Sequence, residues 1–314
     1  MNPDELKEKI RGVIVVMTTP FKSNFELDEE GLRKQTRFLI ESGIRNGSGV
    51  LVPTGSTGEC PGLTDEERKT IVRIVKEEAK NEVPVIAGCN HTDTRTVIKL
   101  AHYSEEVSAD GLMISPPYYW KPSDEMVISH YEAIAKETDL GIIVYNNWFA
   151  TQYDIPIDVM VKLAEIPNVI ALKDCTPGLI KLSKMIAALE DKIVVANGTG
   201  ECQEPYAAMM GSKGFVTGEA NFMPRTLVEM YKAEENGDYT RAKEIYRGIA
   251  PLIDCILGGK SGADYIGRIK AIMDMLGIPA GPPRLPLLPP DEETKKELKK
   301  LFKEARLFDE FELE

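Results

Sequence analysis

From residue 13 onwards, short apolar segments rich in β-branched residues alternate along the chain with longer amphipathic segments. This alternation predicts parallel strands joined by crossover helices. Nearly every position of a short segment is apolar, which is typical of strands buried on both faces. Eight such strands are predicted, at residues 13–20, 48–53, 83–89, 111–117, 141–146, 169–174, 193–198 and 214–218.

Several amphipathic segments begin after a residue that commonly caps a helix. Asp28, Thr64 and Ser123 each precede one, and Thr64 followed by Glu67 is typical of a capping box. Eight strand–helix units predict an α/β fold, a closed (β/α)8 TIM barrel. The alternative, an open doubly wound sheet, is expected to carry a glycine-rich phosphate-binding turn after its first strand, and residues 18–28 (TTPFKSNFELD) contain none.

The strand pattern stops at residue 236, and only helical patterns follow, at 238–257, 261–276 and 291–306. The last two are separated by the proline-rich segment 277–291, which is unsuited to a helix interior and is expected to be extended. We therefore predict a barrel at 1–236 with a carboxyl-terminal helical extension at 237–314 packed on it.

Charge and composition exclude some classes of partner. The net charge is −12 with a pI near 5.0, which argues against binding to nucleic acid or to an anionic membrane. No apolar run reaches the roughly 18 residues of a membrane span, and the amino terminus is charged, so a soluble, cytoplasmic protein is expected. The five cysteines are widely spaced with no CxxC pair, which favours neither a disulfide framework nor a zinc site.

The carboxyl ends of barrel strands are where catalytic residues are expected. Lys173 ends the apolar strand VIALK, where burial would lower the pKa of its amine and make it nucleophilic. Tyr145, at the end of the preceding strand, is a candidate for proton transfer. The alternatives are a solvated or ion-paired lysine and an aromatic residue at the barrel rim.

The loop GSTGE follows the second predicted strand and combines flexible backbone with two hydroxyl groups. Gly55, Ser56 and Thr57 are expected to direct N–H and hydroxyl groups at a carboxylate, which would supply the local anion site that an acidic protein needs for an anionic substrate. An ordinary glycine-containing turn is the alternative.

Together these segments resemble the dihydrodipicolinate synthase and N-acetylneuraminate lyase family of class I aldolases. The resemblance covers nearly the whole chain, through GVIVVMTTPF, GSTGE, PPYYWKPS, YNN, ALKD and GSKGFVTGEANFMPR. The interval of 28 residues between Tyr145 and Lys173 is its most specific element. The resemblance implies a lyase that needs no cofactor, because Lys173 forms a covalent imine with pyruvate or another 2-oxo acid.

The same resemblance implies roles for the other residues. Tyr145 would be the acid/base residue, Ser56 and Thr57 would hold the substrate carboxylate, and Tyr119 would cross a dimer interface to complete a hydroxyl relay through Ser56 to Tyr145. Members are commonly dimers of dimers, so a homotetramer is expected. The substrate-binding residues expected at the remaining strand ends are Gly198, Glu201 and Val216.

Two positions depart from the family's pattern. Dihydrodipicolinate synthases carry an arginine five residues after the tyrosine, which binds the carboxylate of the aldehyde, and this chain has Ala150 there. Sialic acid lyases place an Asp-Glu pair after the strand-7 glycine, and this chain has Gly200 and Glu201. Three aromatic residues instead suggest a pocket with aromatic walls, although packing at a subunit interface would also explain the tryptophans: Trp120, Trp148 and Phe149.

The sequence thus favours a lyase that forms or cleaves a carbon–carbon bond between pyruvate and an aldehyde. The alternatives are a dehydratase of a 2-oxo-3-deoxy acid, a 4-hydroxy-tetrahydrodipicolinate synthase and a barrel that binds a 2-oxo acid without turnover. A metal-dependent aldolase would need ligands gathered at strand ends. His102 and His130 fall in predicted helices and are expected at the surface or an interface, and only His91 is placed to line the pocket.

Overall fold

The computed structural model describes residues 1–307, and the last seven positions of the predicted extension lie outside the described residues. Eight parallel strands alternate with helices along this part of the chain. The strands are β1 (Gly12–Val16), β2 (Gly49–Val52), β3 (Ile86–Gly88), β4 (Gly111–Ile114), β5 (Gly141–Asn146), β6 (Val169–Asp174), β7 (Val194–Asn197) and β8 (Gly214–Thr217).

Helices connect the strands and continue beyond them. In chain order they are α1 (Pro3–Lys9), α2 (Glu29–Glu41), α3 (Asp65–Ala79), α4 (Thr94–Glu106), α5 (Asp124–Ala135), α6 (Trp148–Thr151), α7 (Ile157–Leu163), α8 (Leu179–Leu189), α9 (Tyr206–Met209), α10 (Pro224–Glu235), α11 (Tyr239–Leu257), α12 (Asp264–Met275) and α13 (Glu292–Glu304).

The sheet closes into a barrel. Its strands follow the order β2-β1-β8-β7-β6-β5-β4-β3, and a parallel bridge between Leu51 and Val85 joins the two ends. The fold is therefore the predicted (β/α)8 TIM barrel followed by carboxyl-terminal helices. In the register between β5 and β6, Tyr145 lies directly opposite Lys173.

Alternating strand residues form two layers of core. Ile14 and Val16 point into the barrel, where they join a central cluster that includes Ile143 and Tyr145. Val13 and Val15 point outward and pack against the surrounding helices. Because the interior is filled with side chains, substrate can approach only from an end of the barrel.

The predicted helix starts are confirmed. Asp28, Thr64 and Ser123 are the caps of α2, α3 and α5, and the capping box between Thr64 and Glu67 is complete. Some strands are shorter than predicted. Strand β4 ends at Ile114 because Pro116 and Pro117 have no N–H to donate to a neighbouring strand.

The predicted boundary at residue 236 falls in the turn between α10 and α11. The division into a barrel at 1–236 and an extension packed on it at 237–314 stays a prediction. Helices α11, α12 and α13 cover one side of the barrel, where Phe302 contacts Phe222 with ring centroids 6.4 Å apart. Residues 277–291 contain no regular helix, as predicted. No helix in residues 1–307 is long and apolar enough to span a membrane.

A buried ion pair fastens this extension to the barrel. Lys270 of α12 and Glu59, which follows the GSTG turn, are 1% and 2% exposed, with Nζ and Oε1 2.7 Å apart. Lys270 also donates to the carbonyl of Thr19 (2.9 Å), and the N–H of Arg284 donates to the other carboxylate oxygen of Glu59 (2.8 Å). Each charge is therefore well compensated, and loss of one partner would leave the other buried charge without its counterion.

We expect Lys270→Met to lower the free energy of unfolding by about 3–5 kcal/mol, because it leaves the Glu59 carboxylate buried without its counterion. Lys34→Met is the matched control, since Lys34 and its partner Glu30 are 64% and 77% exposed and such pairs contribute at most about 1 kcal/mol. Urea unfolding curves of both variants measure the difference. Equal losses in the two variants would contradict the role of the buried pair.

Candidate active site

A cavity of about 350 Å³ opens at the carboxyl ends of the strands. Its walls come from β1, β5, β6 and β8, from the loops after β2, β7 and β8, and from α6 and the extension. Of the residues predicted to form the site, the structure brings seven to this cavity: Ser56, Thr57, Tyr145, Lys173, Gly198, Glu201 and Val216.

Lys173 lies near the end of β6 and is 5% exposed. Its Nζ lies 3.8 Å from the centroid of the Tyr145 ring. Burial lowers the pKa of its amine. The adjacent Asp174 directs its carboxylate elsewhere, since its Oδ1 accepts hydrogen bonds from Asn146 Nδ2 (2.8 Å) and the N–H of Thr176 (3.0 Å). The site therefore favours an uncharged, nucleophilic amine.

Tyr145 is buried, and its hydroxyl has two polar neighbours. Ser56 Oγ lies 3.4 Å away, and Asn147 Nδ2 donates to the hydroxyl oxygen at 2.9 Å. Burial raises the pKa of Tyr145 well above its usual value, so its hydroxyl carries a proton at neutral pH. A protonated phenol beside an amine is suited to proton transfer during imine chemistry.

In the GSTGE loop, the two residues with hydroxyl groups lie on the cavity wall and the first glycine does not. Ser56 and Thr57 line the cavity, whereas Gly55 lies beneath the loop against β1. A Cβ at Gly55 would approach Val16 Cγ1 to 2.5 Å, so the position requires glycine for packing. The structure thus shows a packing reason for Gly55 and does not place it on the cavity wall.

Gly198 also has a steric reason to be glycine. A Cβ there would lie 2.7 Å from Cys175 Sγ and 2.8 Å from the carbonyl oxygen of Asp174. Its N–H donates to that carbonyl at 2.8 Å. The lack of a side chain at Gly198 therefore lets the loop after β7 pack closely against the end of β6.

Tyr119 is not part of the cavity of its own chain. It is 80% exposed, adopts a φ of 87°, and packs edge-on against Trp120 with ring centroids 5.0 Å apart. Tyr119 and Trp120 line a second cavity, together with Tyr118 and His130. Within one chain, therefore, the hydroxyl relay runs from Ser56 to Tyr145 without Tyr119.

The predicted aromatic walls are found in part. Trp148 and Phe149 of α6 line the Lys173 cavity, and Trp148 Nε1 donates to the carbonyl of Cys175 at 2.9 Å. Trp120 lies elsewhere and is 79% exposed, so its assignment to the pocket wall is wrong for the single chain. Ala150, in the same helix, does not line the cavity.

The histidines do not reach the cavity. His130 is buried on α5 with Nδ1 2.9 Å from Thr94 Oγ1, so the single chain does not place it at the surface. Burial lowers its pKa to about 4. His91 Nδ1 accepts from the N–H of Asp93, and His91 is not on the cavity wall. Within residues 1–307 no three His, Cys, Asp or Glu side chains are arranged to hold a metal ion.

Several site residues were missed by the sequence analysis. Asn147 contacts the Tyr145 hydroxyl, and the repeated asparagine in YNN was the available signal. Tyr265, from α12, lines the cavity with its hydroxyl 3.3 Å from Thr57 Oγ1, and no local motif marks it. Glu219 follows β8 and also lines the cavity.

The family was established by comparison with known proteins. The model of the dihydrodipicolinate synthetase family matches residues 9–305. A 4-hydroxy-tetrahydrodipicolinate synthase of Methanothrix thermoacetophila is 36% identical over 92% of this chain and 95% of its own length. One of Archaeoglobus fulgidus is 35% identical over 94% of this chain and 98% of its own length.

Comparison with solved structures points to the same family. A dihydrodipicolinate synthase of Aquifex aeolicus superposes with a TM-score of 0.88 at 31% identity, covering 95% of this chain and 99% of that one. A chloride-inhibited dihydrodipicolinate synthase of Acinetobacter baumannii, complexed with pyruvate, gives the same score, identity and coverage.

We expect Tyr265→Phe to weaken binding of a 2-oxo acid by about 2- to 10-fold, because Thr57 loses a hydrogen-bonding neighbour that orients its hydroxyl. The concentration of pyruvate that gives half-maximal trapping by borohydride measures this change. Tyr239→Phe, at the other end of the barrel, is the control. An unchanged half-saturation in Tyr265→Phe would show that the Thr57 contact does not orient the substrate site.

Proposed function

The chain belongs to the dihydrodipicolinate synthetase family, and on this basis we propose that it is a class I lyase that joins or separates pyruvate and an aldehyde through an imine on Lys173. The single observation that carries the proposal is the buried amine of Lys173 opposite the protonated phenol of Tyr145. The pyruvate bound to the Acinetobacter relative supports pyruvate as the 2-oxo acid.

The reaction begins when the uncharged amine of Lys173 attacks the C2 carbonyl carbon of pyruvate. Proton transfer from nitrogen to oxygen through the Tyr145 hydroxyl gives a neutral carbinolamine. Tyr145 then donates its proton to the carbinolamine hydroxyl, which leaves as water and gives the protonated imine. The Tyr145 phenolate takes a proton from C3 to give an enamine, and C3 then attacks the aldehyde carbon. Tyr145 donates a proton to the resulting alkoxide, and hydrolysis of the imine frees the product and Lys173. Cleavage follows the same steps in reverse.

The substrate carboxylate is assigned to Ser56 and Thr57. Both hydroxyls face the cavity, and Tyr265 lies beside Thr57. The protonated imine supplies the nearby positive charge, since Lys173 is the only cationic side chain among the cavity residues of the described chain. Gly198, Glu201 and Val216 are assigned to substrate binding around the imine.

The identity of the aldehyde substrate distinguishes the two leading activities. Both relatives described above are named 4-hydroxy-tetrahydrodipicolinate synthases, which supports that activity as the alternative proposal. Against it, Ala150 stands where synthases carry their carboxylate-binding arginine, so an anionic aldehyde lacks a bidentate partner here. Dehydration of a 2-oxo-3-deoxy acid begins with the same imine and is distinguished by its product.

The proposal includes a homo-oligomer, in which Tyr119 of one copy completes the hydroxyl relay of another. The exposed aromatic pair of Tyr119 and Trp120 supports such a contact, because exposed aromatic clusters are typical of protein interfaces. A dimer of dimers and a cytoplasmic location stay predictions. No metal or organic cofactor is assigned a step.

We expect borohydride reduction in the presence of pyruvate to add a pyruvyl group to Lys173 and to inactivate the protein. Mass mapping of the digest locates the adduct. Lys173→Arg should show no adduct, whereas Lys181→Arg, whose lysine lies outside the cavity, should be labelled as the wild type is. An adduct on another lysine would refute the assignment. Activity that is lost in excess EDTA would instead favour a metal-dependent aldolase.

We expect Tyr145→Phe to lower kcat by about 100-fold or more, because the ring remains against Lys173 while the transferable proton is lost. Steady-state turnover is measured with pyruvate and an aldehyde. Tyr103→Phe, on α4 and outside the cavity, controls for the loss of a phenol in general. Turnover within a few-fold of wild type would mean that another group transfers the proton.

A further inference from the structure

Asn147 lies two residues after Tyr145, and its side chain contacts the phenol that transfers protons. Alternate side chains along a strand point the same way, so Tyr145 and Asn147 share one direction and Asn146 takes the other. Asn146 Nδ2 accordingly donates to Asp154 (2.9 Å) and Asp174 (2.8 Å). Asn147 Nδ2 donates to the hydroxyl oxygen of Tyr145 at 2.9 Å. The second asparagine of YNN is therefore directed at the acid/base residue of the site.

The backbone of Asn147 is held on both sides. Its N–H donates to the carbonyl of Tyr145 at 3.0 Å, and its carbonyl accepts from the N–H (3.0 Å) and the hydroxyl (2.9 Å) of Thr151. Asn147 is the N-cap of α6, a position at which an asparagine side chain ordinarily accepts a hydrogen bond from the first turn of the helix. Its side chain makes no such bond. The amide is therefore fixed in place and serves the phenol instead of the helix.

Packing alone does not require an asparagine at this position. Asn147 is 2% exposed, and its Oδ1 is buried without a hydrogen-bond partner among the described residues. A buried acceptor without a partner costs free energy and is rare in folded proteins. Leucine has the same branching and carries no polar atom that could be left unpaired. The asparagine is therefore explained by what its N–H does for Tyr145.

The hydrogen bond constrains the proton of Tyr145. Because the phenol oxygen accepts from Asn147, the O–H bond points away from the amide, towards Ser56 Oγ (3.4 Å) or the cavity. Burial raises the pKa of Tyr145, which makes its phenol a weak acid. A donor on the phenol oxygen counters this, because the N–H···O bond becomes charge-assisted and stronger once the proton has left. The bond therefore stabilises the state after proton transfer more than the state before it.

We propose that Asn147 is a positioning residue for proton transfer, whose amide N–H directs the Tyr145 hydroxyl towards the substrate and stabilises the phenolate that forms. This inference rests on the proposed function and adds a residue to the same site. Asn147 does not line the cavity, so it acts through Tyr145 and not on the substrate itself. Its effect is therefore expected on turnover and not on the binding of pyruvate.

The test follows the exchange of pyruvate C3 protons for deuterium, seen in D2O as the loss of the methyl signal in proton NMR spectra. Exchange requires the imine and the enamine but no aldehyde. We expect Asn147→Leu to lower kcat for exchange by about 10- to 100-fold and to change KM for pyruvate by less than about 3-fold. A wild-type kcat in this variant would overturn the proposal.

Asn147→Asp keeps the shape of the side chain and makes hydrogen-bond donation depend on pH. A protonated carboxyl group can donate to the phenol oxygen, whereas an ionised one only accepts and repels the phenolate. We expect kcat for exchange, relative to the wild type at the same pH, to be lowered and to fall further as pH rises. A ratio near one at every pH would show that donation by this side chain is not needed, and the proposal would be wrong.

A double-mutant cycle shows whether Asn147 acts through Tyr145. The hydrogen bond is already absent from Tyr145→Phe, so adding Asn147→Leu to it should change kcat for exchange by less than about 3-fold. A loss as large as that in the wild-type background would indicate a general structural effect and would overturn the proposal. The matched control is Asn168→Leu, which removes an amide that donates to the carbonyl of Thr138 (2.9 Å) at the amino end of β6. Its kcat should equal that of the wild type.

Two further measurements separate the levels of inference. Absence of both exchange and borohydride trapping on Lys173 in the wild type would overturn the proposed function and this inference with it. Normal trapping and exchange in the wild type, with an unchanged kcat in Asn147→Leu, would remove only the role of Asn147. Urea unfolding curves give the folded fraction of each variant, and a loss of kcat that disappears after correction for that fraction would also overturn the proposal.

Discussion

Closure of the eight-stranded sheet brings together loops that are far apart in the chain. The bridge between Leu51 and Val85 leaves the strand residues buried on both faces, and the barrel interior is filled by their side chains. A polar side chain at the carboxyl end of a strand can therefore reach open space only in one direction, towards the cavity. The lowered pKa of Lys173 follows from this constraint, because its amine is buried at the top of an apolar interior.

The extension contributes to the same cavity, although it lies outside the repeating strand–helix pattern. Glu59 follows the GSTG turn, and its buried pair with Lys270 ties that turn to α12. From the same helix Tyr265 reaches Thr57. Helix α12 thus holds the loop that carries Ser56 and Thr57 through two contacts. A turn rich in glycine is flexible by itself, so these contacts supply the rigidity that a carboxylate site needs.

The residues that could be predicted from the sequence are those whose position follows from strand periodicity. Lys173 and Tyr145 end apolar strands, and the parallel register places them opposite each other, as expected. Tyr265 could not be found in this way, because an amphipathic helix does not indicate which part of the barrel it covers. Glu219 lies two residues beyond β8, where the backbone path decides the direction of the side chain. Tyr119 and Trp120 are exposed in the single chain, so their environment depends on contacts that one sequence does not specify.

The charges of the cavity decide how an anionic substrate is received. Pyruvate brings one negative charge, and burial lowers the pKa of the Lys173 amine, which weakens the positive charge available to offset it on arrival. Burial also raises the pKa of Glu201 and of Glu219, which line the same cavity, and so disfavours their ionised forms. The wall therefore repels an incoming carboxylate less than two ionised acids would. Once the protonated imine forms, its positive charge lies in the same buried site as the carboxylate of pyruvate and balances it. The raised pKa values of the two acids and the lowered pKa of Lys173 are therefore consequences of the same burial.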